Sequence, residues 1–598
     1  MKQFFLTMLG VFAGLVVFFI ILPVVGLMLL VGAAASTSKP STPAHTVLEL
    51  DLRQGLTDQV PTNPFAMLDS SQSVLGVIDT LAQAERDTNV KALLIRAPEG
   101  GMTPAYADEI RQAVQRFRKT GKLVVAHSQG FAPSGVVMSS YMLAASADEL
   151  WMQNTSSFQA TGVSMDSMFL GRAAEKYGVK ADFEQRYEYK NAVNEFTQSD
   201  FTPAHREAMT AWMNSIYTSV LSVVATDRKQ DPVALKAVIE AGPYTPEQAL
   251  QLKLIDKIGQ VEEAEAYVKE KAGKDAKIVS FGEYGSMKGM RSSMGSGAKS
   301  SIAIVGGEGA IMTGRGNSGS LFGSGSEIRS DDLARALYQA IEDKDVKAIV
   351  FRVSSPGGSP DASEQILAAL RAAKKAGKPV VVSMGGYAAS GGYWISSEAD
   401  WIVAQPSTLT GSIGVYGGKF AIGEALGRFG IDTRNLTVGG DYADAFSSAS
   451  GFDQGQRAAF SASMDRIYAQ FIERVARGRK LTPERAHEIA KGRVWTGMQA
   501  KEIGLVDQLG GLHEAINKAR QLAEIPSAEG VRFKYYPTPQ TPWEALASAF
   551  GASGQAASTL VRIGQVLGDP AAVAVMERVR TEQMRTQGAA VLAEQPAF

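Results

Sequence analysis

The chain has no cysteine among its 598 residues. That absence excludes disulfides, thiol nucleophiles and thiolate metal sites together, and it leaves the compartment open. Histidine is nearly as scarce. The five present (His45, His127, His205, His487 and His513) are scattered, with no HExxH pattern and no close His/carboxylate cluster. A zinc centre is disfavoured, and a histidine-based triad has few candidates. There is no long basic run and the net charge is -1, so nothing points to nucleic acid. One stretch lacks charge altogether: none lies between Gln3 and Ser38, and Phe4 to Leu30 is almost wholly apolar. About 20 such residues span a bilayer, whereas signal-peptide apolar cores run about 7–15. Residues 1–38 therefore read as a retained transmembrane anchor followed by an exported body, although Gly32-Ala33-Ala34-Ala35-Ser36 resembles a cleavage site. Lys2 and Lys39 nearly balance across it, so charge alone does not orient the anchor.

What is present is a folded chain, 45% hydrophobic and 20% charged, long enough to require two or more cores. The chain repeats itself. Val90-Lys91-Ala92-Leu93-Leu94-Ile95-Arg96 returns as Val346-Lys347-Ala348-Ile349-Val350-Phe351-Arg352, and Gly121-Lys122-Leu123-Val124-Val125 as Gly377-Lys378-Pro379-Val380-Val381. Tyr244-Thr245 with Gln248-Ala249, Asp256 and Gly259 matches Trp495-Thr496 with Gln499-Ala500, Asp507 and Gly510. Three ordered blocks imply a tandem duplication. In each copy short β-branched runs alternate with helix-periodic stretches, a pattern that predicts parallel strands covered by helices. Gly285–Ser300 and Gly314–Ser326 read as Gly/Ser-rich loop, and the Ala-rich tail from Pro542 as helix-prone without an assignable role.

The chemistry concentrates in the second copy. Ser354-Ser355-Pro356-Gly357-Gly358-Ser359 and Gly385-Gly386-Tyr387-Ala388-Ala389-Ser390-Gly391-Gly392-Tyr393 are Gly-rich turns, each just after an expected strand. A serine at a strand-to-helix turn exposes its hydroxyl beside free backbone N–H groups, and glycine permits close backbone approach to a carbonyl. One such turn alone would more often be only a tight turn. Two in a repeated α/β unit favour a nucleophile, Ser390, with oxyanion donors from Gly357 or Gly358 and from Gly391. With no histidine near it in sequence, Ser390 needs another base, and a buried lysine with a depressed pKa is the known alternative.

At this point the sequence resembles signal peptide peptidase A in its long, tandem-duplicated bacterial form. The resemblance rests on residues 355–359, on Tyr387-Ala388-Ala389-Ser390-Gly391-Gly392-Tyr393, on Pro406-Ser407-Thr408-Leu409-Thr410-Gly411-Ser412-Ile413-Gly414, and on Tyr189-Lys190-Asn191-Ala192-Val193 in the first copy. It implies two tandem crotonase-like (Clp protease-like) α/β repeats after an N-terminal transmembrane helix. The expected division is an anchor at 1–38, a first repeat at 45–284, a linker at 285–300, a second repeat at 301–530 and a helical C-terminal extension at 531–598. It implies that Ser390 is the nucleophile, Lys190 the general base, Ser412 the residue orienting the lysine, and Gly358 with Gly391 the oxyanion hole, with Gly357 as the alternative donor. It further implies cleavage of signal peptides and other membrane-associated peptides, no metal or organic cofactor, and a homotetramer. Such a protein would be single-pass in the bacterial inner membrane, its body on the periplasmic or outer side.

The duplication bears on this assignment. Ser134, or Met138 in the alternative alignment, stands where the second copy has Ser390, and Glu99-Gly100-Gly101-Met102 replaces its oxyanion turn. Conversely, Tyr189-Lys190-Asn191 corresponds to Tyr442-Ala443-Asp444. One copy keeps the base and the other the nucleophile, which predicts a single site between the repeats. Taken alone, Lys190 is an ordinary surface lysine, amid Glu184, Arg186, Glu188 and Glu195. Two other functions compete: a crotonase-like acyl-CoA hydratase or isomerase, and a catalytically inactive membrane scaffold.

Overall fold

The apolar runs at Val90–Ala97 and Val346–Ser355 become central strands of two sheets in a computed structural model that describes residues 42–59, 72–288, 300–316, 327–526 and 529–537, with Gly14 and the short strand Val591–Leu592. The first sheet orders its strands Lys257–Ile258, Glu149–Met152, Leu123–Ser128, Val90–Ala97, Thr46–Asp51 and Lys277–Ser280, all parallel. The second runs Val494–Thr496, Leu409–Gly411, Val380–Ala389, Val346–Ser355, Ser300–Glu308 and Val531–Tyr536; only the Leu409–Gly411/Val494–Thr496 pair is antiparallel. Both central strands are buried almost throughout, which explains their continuous rather than alternating apolarity.

The duplication extends to individual hydrogen bonds. Asp148 accepts from Val124 N at 2.9 Å and Asp400 from Val380 N at 2.8 Å. Lys122 donates to the Ala84 and Asp87 carbonyls, and Lys378 to those of Ala340 and Asp343. Arg228 pairs with Asp256 and Arg479 with Asp507, both at 2.6 Å. Thr245/Gln248 and Thr496/Gln499 each build a capping box. The two copies thus share a fold and the polar contacts that fix its loops.

The repeats are joined by polar groups as well as by packing. Arg352, fully buried, is held by Asp58 at 2.6 Å and Glu109 at 2.7 Å, both from the first repeat. Glu308 accepts from the Asp58 and Gln59 backbone N–H groups, and burial with the nearby Asp58 charge pushes it up to about 7. Strand Lys180–Arg186 of the first repeat pairs antiparallel with Val415–Ala421 of the second. Helix Pro203–Asp227 lies against Val494–Thr496, with Ser215 Oγ 2.8 Å from Thr496 Oγ1.

Two expectations meet the structure differently, and a third falls on residues it does not describe. The anchor expected at 1–38 lies outside the described residues, and among those described no helix is long and apolar enough to cross a membrane. The extension expected to be helical from 531 begins instead with Val531–Tyr536, a parallel edge strand beside Ser300–Glu308. Its Val-Arg-Phe-Lys-Tyr-Tyr sequence is β-branched and aromatic, and such residues favour strands. The linker expected at 285–300 begins inside the helix Phe281–Lys288, and 289–299 lie outside the described residues.

Candidate active site

Ser390 closes the strand Val380–Ala389 and caps the helix Gly391–Ser396, with φ 55° and ψ -118°. A non-glycine residue there costs on the order of 1–3 kcal/mol and persists only where its surroundings enforce it. They do: Ser390 N–H donates to the Gly411 carbonyl at 2.8 Å, and its own carbonyl accepts from Trp394 N at 2.9 Å. The glycines around it are required by backbone contact. A Cβ on Gly391 would lie 2.9 Å from Ser363 Oγ and 3.0 Å from both Gly357 Cα and Gly358 N; one on Gly392 would lie 2.5 Å from the Ser355 carbonyl oxygen. The two Gly-rich turns of the sequence therefore pack directly on each other.

The turn at Gly357–Gly358 distinguishes its two glycines. Gly357 N–H donates to Ser355 Oγ at 3.1 Å. Ser359 N–H donates to the Ile311 carbonyl at 2.7 Å. A Cβ on Gly358 would fall 2.0 Å from the Ile311 oxygen, which makes glycine obligatory there. The edge opposite Ile311 carries the strand Val591–Leu592, antiparallel, with Gly357 opposite Leu592 and Gly358 opposite Val591.

Lys190 arrives from the other repeat, on the loop that follows strand Lys180–Arg186. Its Nζ lies 2.8 Å from Ser390 Oγ, 2.9 Å from Ser412 Oγ and 3.0 Å from the Ser412 carbonyl oxygen. Only 1% of the residue is exposed, although sequence alone gives it the setting of a surface lysine. Burial alone holds its ammonium well below the ordinary lysine range, with no carboxylate contributing. A neutral amine has two N–H donors and one lone pair. The Ser412 carbonyl can only accept, and Ser412 Oγ can accept as well. Both N–H groups can then point at Ser412, leaving the lone pair to receive the Ser390 hydroxyl proton. Ser412 is itself held at φ 48°, its N–H donating to the Arg493 carbonyl at 2.7 Å.

Five of the six residues singled out in the sequence thus meet at one point: Ser390, Lys190, Ser412, Gly358 and Gly391. Gly357 is adjacent, but its N–H is already engaged. Sequence reasoning missed Ile311, which backs Gly358 and belongs to no motif, and the part played by Gly411, which stands in the Pro406–Gly414 run but holds Ser390 through a backbone carbonyl that the run does not mark. A cleft of about 590 Å³ borders the Lys190 loop, lined by residues that include Phe183, Gln185, Glu188, Val193 and Asn194.

The corresponding place in the first repeat is closed. Gly101 N–H donates to the Ser134 carbonyl at 2.6 Å, so the chain itself occupies the relict donor. Tyr141 donates to the Leu254 carbonyl at 3.0 Å just as Tyr393 donates to that of Leu505 at 2.8 Å. This shared bond selects the register in which Met138, fully buried, stands opposite Ser390. In the second repeat Ala443, the counterpart of Lys190, sits on an exposed loop.

Comparison with known proteins agrees with this geometry. The model of peptidase family S49 matches residues 116–276 and 372–526, two segments that contain Lys190 and Ser390 respectively. Protease 4 of Salmonella typhi is 33% identical over 534 residues, which cover 85% of this chain and 82% of that protein. Protease 4 of Haemophilus influenzae is 31% identical over 75% of this chain and 73% of its own length. The chloroplastic serine protease SPPA of Arabidopsis thaliana is 28% identical over 85% of this chain and 74% of its own. These matches set aside both the acyl-CoA hydratase and the inactive scaffold: the chain is a serine peptidase and belongs to peptidase family S49.

Proposed function

We propose that Ser390 and Lys190 form the catalytic dyad of a membrane-attached endopeptidase that degrades signal peptides and other membrane-associated peptides. The observation that carries the reading is the 2.8 Å contact between Lys190 Nζ and Ser390 Oγ in a buried site where, among the described residues, no carboxylate shifts the lysine. Ser390 Oγ attacks the scissile carbonyl carbon while its proton passes to the neutral Lys190 amine. The tetrahedral oxyanion takes the N–H groups of Gly358 and Gly391. Lys190 then returns the proton to the leaving amine, which departs as the C–N bond breaks. Water, deprotonated by the same amine, hydrolyses the acyl-serine and restores the site. Gly358 is preferred to Gly357 as donor because Ser355 already accepts the Gly357 N–H. Ser412 holds the amine in its accepting orientation through two contacts.

An extended peptide would add as a strand to the edge of Gly357–Gly358 by displacing the chain's own Val591–Leu592, which pairs there. Strand addition places the substrate backbone, and so its carbonyls, along the oxyanion turn. Substrate class, membrane attachment, a periplasmic or outer location and a homotetramer follow the resemblance and the uncharged stretch between Gln3 and Ser38. The division into an anchor, two repeats and an extension belongs to the same reading, with the second sheet continued through Tyr536. The test is cleavage of a synthetic signal peptide by detergent-solubilised protein. Ser390→Ala and Lys190→Ala should each abolish it with the fold intact, and persistence of cleavage in either variant would remove that residue from the mechanism.

A further inference from the structure

The three residues Lys491-Gly492-Arg493 stand between the two halves of the site. On one side the Lys491 carbonyl accepts from Tyr189 N–H at 3.2 Å, one residue before Lys190. On the other, the Arg493 carbonyl accepts from Ser412 N–H at 2.7 Å, and Gly492 N–H donates to the Ile413 carbonyl at 2.8 Å. Gly492, at φ +83°, touches the lysine itself: a Cβ there would lie 2.5 Å from Lys190 N and 2.6 Å from its Cα and Cβ. The Arg493 side chain completes the junction. It forks onto Glu207 of the first repeat at 2.6 and 2.8 Å, with its guanidinium carbon 4.9 Å from the Tyr189 ring centre and 4.5 Å from that of Trp495. A planar cation held by two rings and a bidentate carboxylate has little freedom to rotate.

We infer that Arg493 and Gly492 are positioning residues, which fix the Lys190 amine against Ser390 and Ser412 without touching substrate. The duplication supports this independently. Tyr244-Thr245 aligns with Trp495-Thr496, so Ala241 and Gly242 stand where the second copy has Gly492 and Arg493. The relict site, with no lysine to seat, has neither the bare backbone nor the guanidinium. The remaining charged and titratable groups packed on this junction come from several elements. Glu188 pairs with Lys491 at 3.7 Å, Arg186 is paired with Glu184 and Asp465, and His487 Nδ1 lies 3.0 Å from Tyr468 Oη, which accepts from Lys491 N at 3.3 Å.

The inference rests on the proposed dyad, and the experiment separates the two. For the full chain and for Arg493→Ala, Arg493→Lys, Tyr189→Ala, Gly492→Ala and His487→Gln, active sites are titrated with a serine-directed phosphonate. Then kcat, KM and the pH profile of kcat/KM are measured per titrated site. Loosening the junction admits water to the amine, which relaxes its desolvation and raises its pKa. Arg493→Ala and Tyr189→Ala should therefore lower kcat per site about tenfold or more, leave KM within about twofold, and move the acid limb to higher pH. Arg493→Lys keeps the charge but not the planar fork, and should fall between. Gly492→Ala should lose more activity than either, and His487→Gln should leave the limb in place. A merely structural role would lower the number of titrated sites alone. An unmoved limb and unchanged kcat per site in both Arg493→Ala and Tyr189→Ala would overturn the inference, as would a limb that follows His487→Gln. Wild-type activity in Lys190→Ala would instead overturn the dyad.

Discussion

At the scale of single residues the site is an exchange of environments. In the proposed dyad Ser390 is an ordinary alcohol activated by its neighbour, and Lys190 can serve as the base because burial holds its ammonium well below the ordinary lysine range. Activity should therefore rise with pH through a limb well below the ordinary lysine range. Lys190→Arg should be inactive at every pH below about 12, since guanidinium keeps its proton. The same burial has a stability consequence whose sign is fixed. Between the depressed folded value and the free-lysine value the unfolded chain binds a proton that the folded chain does not, so stability rises with pH across that window. Lys190→Met, which removes the group, should raise the melting temperature, and the gain should grow as pH falls toward the folded value. Thermal unfolding at several pH values checks it. Ser412→Ala removes one of two acceptors for the amine and should cost about 1 kcal/mol of transition-state stabilisation, or roughly fivefold in kcat/KM.

At the scale of elements, the proposed oxyanion environment is two turns packed backbone to backbone, and the glycines are there because nothing larger fits. Gly391→Ala would press its methyl into Gly357 Cα and Gly358 N, displacing a donor. Loss of one donor is worth about 2.7–4 kcal/mol, so kcat should fall on the order of a hundredfold or more while the protein still folds. A substrate strand and the Val591–Leu592 strand need the same edge of Gly357–Gly358. Val591→Pro, which disfavours strand pairing at that edge, should lower KM for peptide substrates and leave kcat unchanged, by steady-state kinetics.

The elements also show what could be read in advance. The paired Gly-rich turns and the repeated blocks were legible because their chemistry is local: β-branched runs, strand-to-helix turns, capping threonines. The burial of Lys190 was not. Its neighbours Glu184 and Arg186 look like a solvated charged face, yet they meet Arg457 and Asp465 of the second repeat, some 280 residues on. That contact covers the loop and leaves the lysine facing inward. No local pattern contains it; only the family resemblance at Tyr189–Val193 and the alanine at 443 in the other copy pointed to it. The strand at Val531–Tyr536 was missed because the Ala-rich composition of the tail masked a short β-prone segment at its start.

For the whole molecule, the proposed dyad makes the two repeats complementary, one supplying Lys190 and the other Ser390. Arg352, with Asp58 and Glu109, ties them at a fully buried junction. Arg352→Met leaves those carboxylates unpaired in the interior and should cost roughly 3–5 kcal/mol of stability, measured by denaturant unfolding. Because Lys190 and Ser390 meet within one chain, mixing or co-expressing Lys190→Ala with Ser390→Ala should restore no activity; a site shared between subunits would recover part of it. The most direct measurement of the central claim is peptide mapping of the serine labelled by a fluorophosphonate, in the native protein and in Lys190→Ala. Label on Ser390 in the native protein, and its loss or severe slowing when Lys190 is removed, is the predicted result. Label on any other serine, or undiminished labelling of Ser390 without Lys190, would contradict it.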